Sequence, residues 1–204
     1  MQNIIPKIIH YCWFGKKEKP DMVKKCIETW KTNMPDYEIK EWNEDNLDIN
    51  KFLYAKQAYK EKMWGFVGDP IRIWLLYEYG GIYLDTDIEV YKPFNEMLDK
   101  KFFIGFEQPH YFSNATIGAE KGNELLKEIL DEYEKKQFIK KQNWWEYETG
   151  PMIVTDVLSK YVDRDSMEFQ ENDKLTVYPK KYFVRHEKLD EEVYCSHLML
   201  GSWC

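Results

Sequence analysis

Two acidic residues, Asp85 and Asp87, follow a short apolar segment and are separated by one threonine. In an extended chain, residues i and i+2 share a face, so both carboxylates can point the same way. A turn after Leu84 would aim both at one bound ion. Mg²⁺ and Mn²⁺ prefer oxygen ligands and are commonly held by one or two carboxylates, while substrate phosphates complete the shell. The pattern therefore predicts a cation site that holds a diphosphate, although an isolated acidic pair is also typical of a solvated turn.

A helix is predicted directly upstream of this pair, within residues 66–79. Asp69 is expected to be its N-cap, Pro70 fits the first helical position, and the Gly80-Gly81 pair fits its end. Arg72 follows Asp69 by three residues, which places both side chains on nearly the same side of the helix. The two residues are interpreted either as part of a binding site or as a surface ion pair that contributes about 0–1 kcal/mol.

Several other segments carry motifs that occur together with the acidic pair. They lie at residues 5–15, 66–72, 77–87, 149–151 and 195–203. Together they resemble glycosyltransferase family 32, a family of DXD-containing sugar transferases related to the catalytic domains of large clostridial glucosylating toxins. The resemblance spans nearly the whole chain and is strongest over residues 4–93. It implies an α/β, GT-A-like fold with a mixed, mostly parallel central sheet flanked by helices.

The resemblance also implies residues that bind a nucleotide-sugar donor. Trp13 ends the first predicted strand, where an open α/β sheet places its ligand crevice, and is expected to stack on the base. Asp69 and Arg72 are expected over the donor sugar, with Asp69 accepting hydroxyl hydrogens and Arg72 contacting phosphate or sugar oxygens. Tyr83 is expected to touch the ribose or sugar, and Asn114 to bind the sugar from the opposite wall. Core packing for Trp13, cross-strand packing for Tyr83 and a turn for Asn114 are the alternatives.

The metal site is expected to include Asp87 as a direct ligand, and Asp85 through water or on a ribose hydroxyl. His197 is expected to be a further metal or phosphate contact. Ser202 and Trp203 are expected to close over the diphosphate, with a frayed terminus as the alternative. The residues predicted to be catalytic are Asp69, Arg72 and Asp87.

Four positions depart from the family pattern. Gly68 and Pro70 stand where the family usually has a serine and a non-proline residue, so a side-chain contact from position 68 is lost. Leu198 and Met199 replace the second histidine and the first tryptophan of a C-terminal pattern written H-H-W-x-x-S-W. These departures make a catalytically silent sugar-nucleotide binding protein one alternative hypothesis.

Composition limits the function classes. The 204 residues suit one domain, 1–204, and 44% of them are hydrophobic. The formal net charge is −7 with interspersed signs, which excludes a polybasic nucleic-acid interface. The four cysteines lack zinc-site spacing and are read as free thiols in a reducing compartment. Because no membrane-spanning run or signal-peptide core is seen, we expect a cytoplasmic protein.

The remaining pattern predicts alternating strands and helices, and hence a nucleotide-binding α/β half. Strands are predicted at residues 4–14, 37–42, 102–106 and 115–118, with strand-like pieces at 175–184 and 193–197. Helices are predicted at residues 21–31, 47–63 and 122–136 and after 149–151. His10 is interpreted as a structural strand residue.

One local cluster combines basic and aromatic residues. Its members are Lys135, Lys136, Lys140 and Lys141 beside Phe138, Ile139, Trp144 and Trp145. This composition suits either a peripheral contact with a membrane that holds a lipid-linked acceptor or a solvated helix end.

The main hypothesis is a metal-dependent hexosyltransferase that uses Mn²⁺ or Mg²⁺. It would move a sugar from a UDP- or GDP-sugar to a glycan or lipid-linked oligosaccharide hydroxyl in bacterial surface polysaccharide synthesis, such as capsule formation. The family is retaining, so the resemblance implies retention. An effector-type enzyme that modifies a protein is the second enzyme hypothesis.

Overall fold

The computed structural model describes residues 3–184 and 191–201. The described strands are β1 (Ile8–Cys12), β2 (Glu38–Trp42), β3 (Gly81–Leu84), β4 (Ile88–Val90), β5 (Phe102–Gln108), β6 (Tyr111–Ala119), β7 (Gln170–Glu171), β8 (Thr176–Tyr178) and β9 (Cys195–His197). The α-helices are α1 (Asp21–Asn33), α2 (Leu53–Lys60), α3 (Trp64–Tyr79), α4 (Glu124–Glu134) and α5 (Gly150–Leu158). No helix among these is long and apolar enough to cross a membrane.

The central sheet has seven strands in the order β2-β1-β3-β6-β5-β8-β7. The pairs β1–β2, β1–β3 and β5–β8 are parallel, and the pairs β3–β6, β5–β6 and β7–β8 are antiparallel. Following these pairings across the sheet, β6 and β7 run opposite to the other strands. The predicted mixed, mostly parallel sheet flanked by helices is therefore confirmed.

Both faces of the sheet are covered, as alternation along β3 shows. Ile82 and Leu84 belong to the apolar cluster that includes α1, whereas Tyr83 between them belongs to the cluster that includes α3. Successive side chains of a strand point to opposite faces, so both faces of β3 are buried. This double burial holds the end of β3, and the acidic residues that follow it, in one position.

The predicted start of α3 is wrong. The helix begins at Trp64, so Asp69 and Pro70 lie within it rather than at its cap and first turn. Phe66 and Val67 are buried at 3% and 0% exposure, which shows that tertiary packing outweighs the poor helix propensity of this glycine- and proline-containing stretch. The consequence is that Asp69 projects from the middle of a buried helix.

The predicted end of α3 is correct. Gly80 has φ +67° and donates its backbone N–H to the Leu76 carbonyl at 2.8 Å. The predicted helix over residues 47–63 is instead a 3₁₀ turn (Ile49–Lys51) followed by α2.

The C-terminal segment forms a second small sheet beside the turn at residues 85–87, which we call the acidic turn. β9 pairs antiparallel with β4, and His197 lies opposite Ile88. Beyond β9, Leu198 donates its backbone N–H to the Asp87 carbonyl at 3.0 Å. The chain thus returns to the acidic turn, as the sequence predicts.

Candidate active site

The acidic pair lies in the turn between β3 and β4, not in a regular strand. The Asp85 backbone N–H donates to the Ala115 carbonyl of β6 at 2.8 Å, which fixes the start of the turn. Ligand atoms of Asp85, Asp87 and His197 all lie within 4.8 Å of one another. Two carboxylates and one imidazole at this spacing are donor groups that can hold a divalent cation.

Asp87 holds the C-terminal segment to this turn. One carboxylate oxygen lies 3.4 Å from His197 Nε2, and the other accepts the Leu200 backbone N–H at 2.8 Å. Burial would raise the pKa of Asp87, but the His197 and Leu200 contacts outweigh it and the pKa is lowered. Burial would lower the pKa of His197, but the Asp87 carboxylate outweighs that effect and raises it. Asp87 is therefore held ionised beside the imidazole.

A buried guanidinium joins the other two site carboxylates. Arg72 lies 3.1 Å from Asp85 and 3.2 Å from Asp69, and its Nη1 also donates to the Asn114 carbonyl at 2.7 Å. Its Nε contacts the Gly68 carbonyl at 3.5 Å, and its guanidinium lies 4.7 Å from the centre of the Tyr83 ring. These contacts leave at most one Nη2 hydrogen for a ligand. Arg72 is thus placed chiefly to position Asp69 and Asp85.

Burial sets the ionisation of these acids. It raises the pKa of Asp69 to about 6, against the opposing effect of Arg72. Burial also raises the pKa of Asp85, and Arg72 again opposes it. The pKa values of Asp69 and Asp85 are thus raised, whereas that of Asp87 is lowered. An added positive charge nearby would favour the ionised forms of Asp69 and Asp85.

Helix α5 meets Asp69 end-on. The Gly150 backbone N–H hydrogen-bonds Asp69, and Asn114 Nδ2 donates to the same carboxylate at 3.1 Å. The positive end of a helix dipole favours a carboxylate at this place. A Cβ on Gly150 would lie 2.1 Å from Asn114 Nδ2 and 2.6 Å from Asp69 Oδ1. Only glycine allows α5 to approach this closely.

These residues border a cleft of about 490 Å³, within the range of small-molecule sites. The cleft brings together the predicted residues Trp13, Asp69, Arg72, Tyr83, Asp85, Asp87, Asn114 and His197. Trp13 is half-buried and donates its indole N–H to the Lys17 carbonyl at 2.7 Å. Tyr83 is 2% exposed, and its ring packs against the Arg72 guanidinium. The ligand contacts predicted for these residues stay predictions.

Two predicted site residues, Ser202 and Trp203, lie outside the described residues. Other cleft residues were given no role in the site from the sequence. Gly150 is one, since it was noted only as part of the motif at residues 149–151, and its signal is a glycine directly before a proline at a helix start. Glu107 and Tyr111 are others, from the β5–β6 hairpin. They lie too far along the chain from the acidic pair for sequence spacing to place them.

Comparison with known proteins finds similarity to glycosyltransferases. Residues 20–104 match the family model described as a glycosyltransferase sugar-binding region containing a DXD motif. The chain is 27% identical over 168 residues to inositol phosphoceramide mannosyltransferase 3 of Schizosaccharomyces pombe, a match that covers 77% of this chain and 46% of that protein. It is 26% identical over 131 residues to lactosylceramide 4-alpha-galactosyltransferase of Rattus norvegicus, covering 64% of this chain and 34% of that protein. The chain thus spans half or less of the length of these relatives.

The fold has a counterpart among solved structures. PaToxG glycosyltransferase superposes with a TM-score of 0.61 at 22% identity, covering 78% of this chain and 69% of that one. At this identity the likeness establishes the fold. The chain therefore has a glycosyltransferase fold, and residues 20–104 of it match a DXD-containing glycosyltransferase region.

Proposed function

We propose that this chain is a metal-dependent glycosyltransferase that moves a sugar from a nucleotide-diphosphate donor to a hydroxyl group. The main support is the meeting of Asp85, Asp87 and His197 within 4.8 Å at the edge of the cleft. A diphosphate donor needs a divalent cation at such a place, because two acids alone would repel it.

The charge of the cleft supports the same conclusion. Its lining contains four carboxylates, from Asp69, Asp85, Asp87 and Glu107, against one arginine and one lysine. With His197 neutral, the formal sum is −2. An anionic diphosphate would enter this field unfavourably unless a divalent cation came with it.

The donor atoms fit such an ion. Carboxylate oxygens suit both Mg²⁺ and Mn²⁺, and an imidazole nitrogen suits Mn²⁺ better. Within the described part of the chain, His197 Nδ1 is buried without a hydrogen-bond partner, so the imidazole is not fully satisfied by protein groups. Asp85, Asp87 and His197 would hold the ion. When bound, it would offset negative charge that develops on the departing diphosphate.

The chain's own residues would supply orientation. Arg72 contacts both Asp85, which lies in the acidic turn, and Asp69, which lies on α3. The two acids therefore keep a fixed separation. Asp69 would accept hydroxyl hydrogens of the donor sugar, and Asn114 and Gly150 fix its carboxylate for that purpose. Trp13 would stack on the base at the rim.

We further propose an acceptor hydroxyl on a glycan or lipid-linked oligosaccharide, in surface polysaccharide synthesis on the cytoplasmic side of a bacterial membrane. The names of the yeast and rat relatives, which refer to ceramide-linked acceptors, support a glycolipid acceptor. Membership of glycosyltransferase family 32 and retention of configuration rest on the motif resemblance. Binding of a sugar nucleotide without transfer is the alternative, since Gly68 lacks the side chain usual at that position.

The test is release of nucleotide diphosphate from a panel of UDP- and GDP-sugars with and without Mn²⁺. We expect Mn²⁺-dependent release that falls about 100- to 1000-fold in Asp87→Asn, because charge stabilisation of the leaving group is lost. Asp36→Asn, at an exposed surface acid, is the matched control. Release that ignores Mn²⁺ and survives in Asp87→Asn would contradict the proposal. Donor binding without release would favour the silent alternative.

A further inference from the structure

We propose that Trp144 and Trp145 form an acceptor subsite that binds a neutral pyranose ring. This inference rests on the proposed transferase function and names the part of the acceptor that the protein recognises. Both residues line the same cleft as Asp85 and Asp87. Trp145 is 81% exposed and Trp144 is 51% exposed, so each offers an open ring surface to a molecule entering the cleft.

The segment that presents these rings is firmly anchored. It joins α4 to α5, and Phe138 within it is buried against Tyr54 and Phe66, at ring-centre distances of 5.6 and 5.1 Å. The Phe138 backbone N–H donates to Gln57 at 2.8 Å, and the Tyr147 hydroxyl accepts the Lys141 backbone N–H at 2.9 Å. The backbone that carries the two tryptophans is therefore held in place, which lowers the entropic cost of binding.

Trp144 packs against other residues that line the cleft. Its ring centre lies 5.8 Å from that of Phe66 and 5.7 Å from that of Tyr147. Phe66 is in α3, the helix that carries Asp69 and Arg72. A ring bound on Trp144 would thus rest on a side chain that packs against the helix carrying Asp69 and Arg72.

Charge argues for a neutral ligand. Residues 132–148 contain four lysines and four glutamates, so the formal charge is zero. Lys135 pairs with Glu132 at 2.7 Å, Lys136 with Glu148 at 2.7 Å, and Lys140 with Glu61 at 3.4 Å. Paired lysines give little attraction for an anionic membrane. An uncharged sugar, with an apolar C–H face and a polar hydroxyl rim, matches indole rings whose surroundings are balanced in charge.

Binding tests the subsite without requiring turnover. We would measure saturation-transfer NMR from the protein to lactose and to the methyl glycosides of glucose, galactose and mannose, with UDP or GDP and the diamagnetic ion Mg²⁺ present. We expect at least one glycoside to bind the natural chain and its affinity to fall about 10- to 100-fold in Trp145→Ala. Trp145→Phe, which keeps a ring, should retain most of the affinity. Phe169→Ala, at an exposed aromatic outside the cleft lining, should have no effect.

Turnover then separates this inference from the proposed function. For an accepted glycoside, the ratio of transfer to donor hydrolysis should fall about ten-fold or more in Trp145→Ala. Glycoside binding that needs Trp145, without transfer from or hydrolysis of any donor, would support the subsite and overturn the transferase proposal. Donor hydrolysis with no glycoside binding, or with equal binding in Trp145→Ala, would overturn the subsite. Sedimentation with phosphatidylcholine–phosphatidylglycerol vesicles that needs Trp145, without glycoside binding, would overturn it in favour of a membrane contact.

Discussion

Two buried polar clusters lie close to β1 and β3, and they handle charge in opposite ways. In one, His10 has no exposed surface; its Nε2 donates to the Gly80 carbonyl at 2.9 Å and its Nδ1 accepts the Trp42 indole N–H at 3.1 Å. Burial lowers the pKa of His10 to about 4, so the imidazole is neutral at pH 7. This cluster ties β1, β2 and the end of α3 together, as expected of a structural residue.

The other cluster keeps its charges. Arg72 is 5% exposed yet contacts Asp69 and Asp85, and these acids face the cleft. Burying charge costs free energy that the ion pairs offset only in part. The comparison teaches that the chain neutralises a polar group where only stability is needed, and retains charge where a ligand is expected.

The two clusters should differ most in stability when the residue at the centre of each, Arg72 or His10, is replaced. Arg72→Met leaves the buried Asp69 and the partly buried Asp85 without their ion-pair partner, and we expect the free energy of unfolding to fall by about 3–5 kcal/mol. His10→Leu leaves one carbonyl and one indole N–H unpaired, with an expected loss of about 1–3 kcal/mol. Denaturant unfolding measures both values, and donor hydrolysis should be lost only with Arg72→Met. Equal losses of stability in the two variants would contradict the comparison, and Lys31→Met controls for removal of an exposed charge.

The clusters should also respond to pH in opposite directions in metal-free protein. The folded pKa of His10 is about 4 against 6.5 when unfolded, so the unfolded state gains a proton first and stability falls from pH 6.5 to 4. The folded pKa of Asp69 is about 6 against 3.8, so the folded state gains a proton first and stability rises from pH 6 to 4. Each effect is on the order of 3 kcal/mol and they nearly cancel.

Variants that remove His10 or Asp69 would reveal the two opposing effects of pH on stability separately. His10→Gln should leave a chain whose stability rises on acidification from pH 6.5 to 4, relative to the natural protein. Asp69→Asn should leave one whose stability falls more steeply over the same window. Unfolding followed in urea at several pH values, with EDTA present, measures both slopes. Parallel slopes in the two variants would refute the opposite assignment.

Glycine substitutions should give the smallest effects and locate the tight side of the site. Gly150→Ala places a methyl group against Asn114 and Asp69, and we expect kcat/KM for donor hydrolysis to fall about 10- to 100-fold. Gly68→Ala meets its nearest atom, Arg72 Nη2, at 3.6 Å and removes a glycine from a helix interior. It should stabilise the fold by up to about 1 kcal/mol. A larger loss of kcat/KM in Gly68→Ala than in Gly150→Ala would show that α5 does not fix Asp69.

Local signals in the sequence predicted much of this structure. The acidic turn, the Gly80 helix end and α1 depend on neighbouring residues, and each was placed correctly. The mixed sheet followed from the order of strands and helices together with the motif resemblance.

The errors and omissions came from contacts between distant segments. Asp69 was expected to cap its own helix, but burial of Phe66 extends α3 upstream and Asp69 meets the start of α5 instead. Gly150 could not be recognised as a site residue until that approach was known. His197 joins Asp87 only because β9 pairs with β4, across 110 residues, and the resemblance rather than spacing suggested it.

The central claim is that Asp85, Asp87 and His197 hold a divalent cation for a nucleotide diphosphate. Titration of Mn²⁺, followed by electron paramagnetic resonance with and without UDP or GDP, tests it directly. We predict one tight site that the nucleotide strengthens, with affinity reduced at least about 10- to 100-fold in Asp87→Asn and unchanged in Asp36→Asn. Equal Mn²⁺ affinity in Asp87→Asn and the natural chain would contradict the claim.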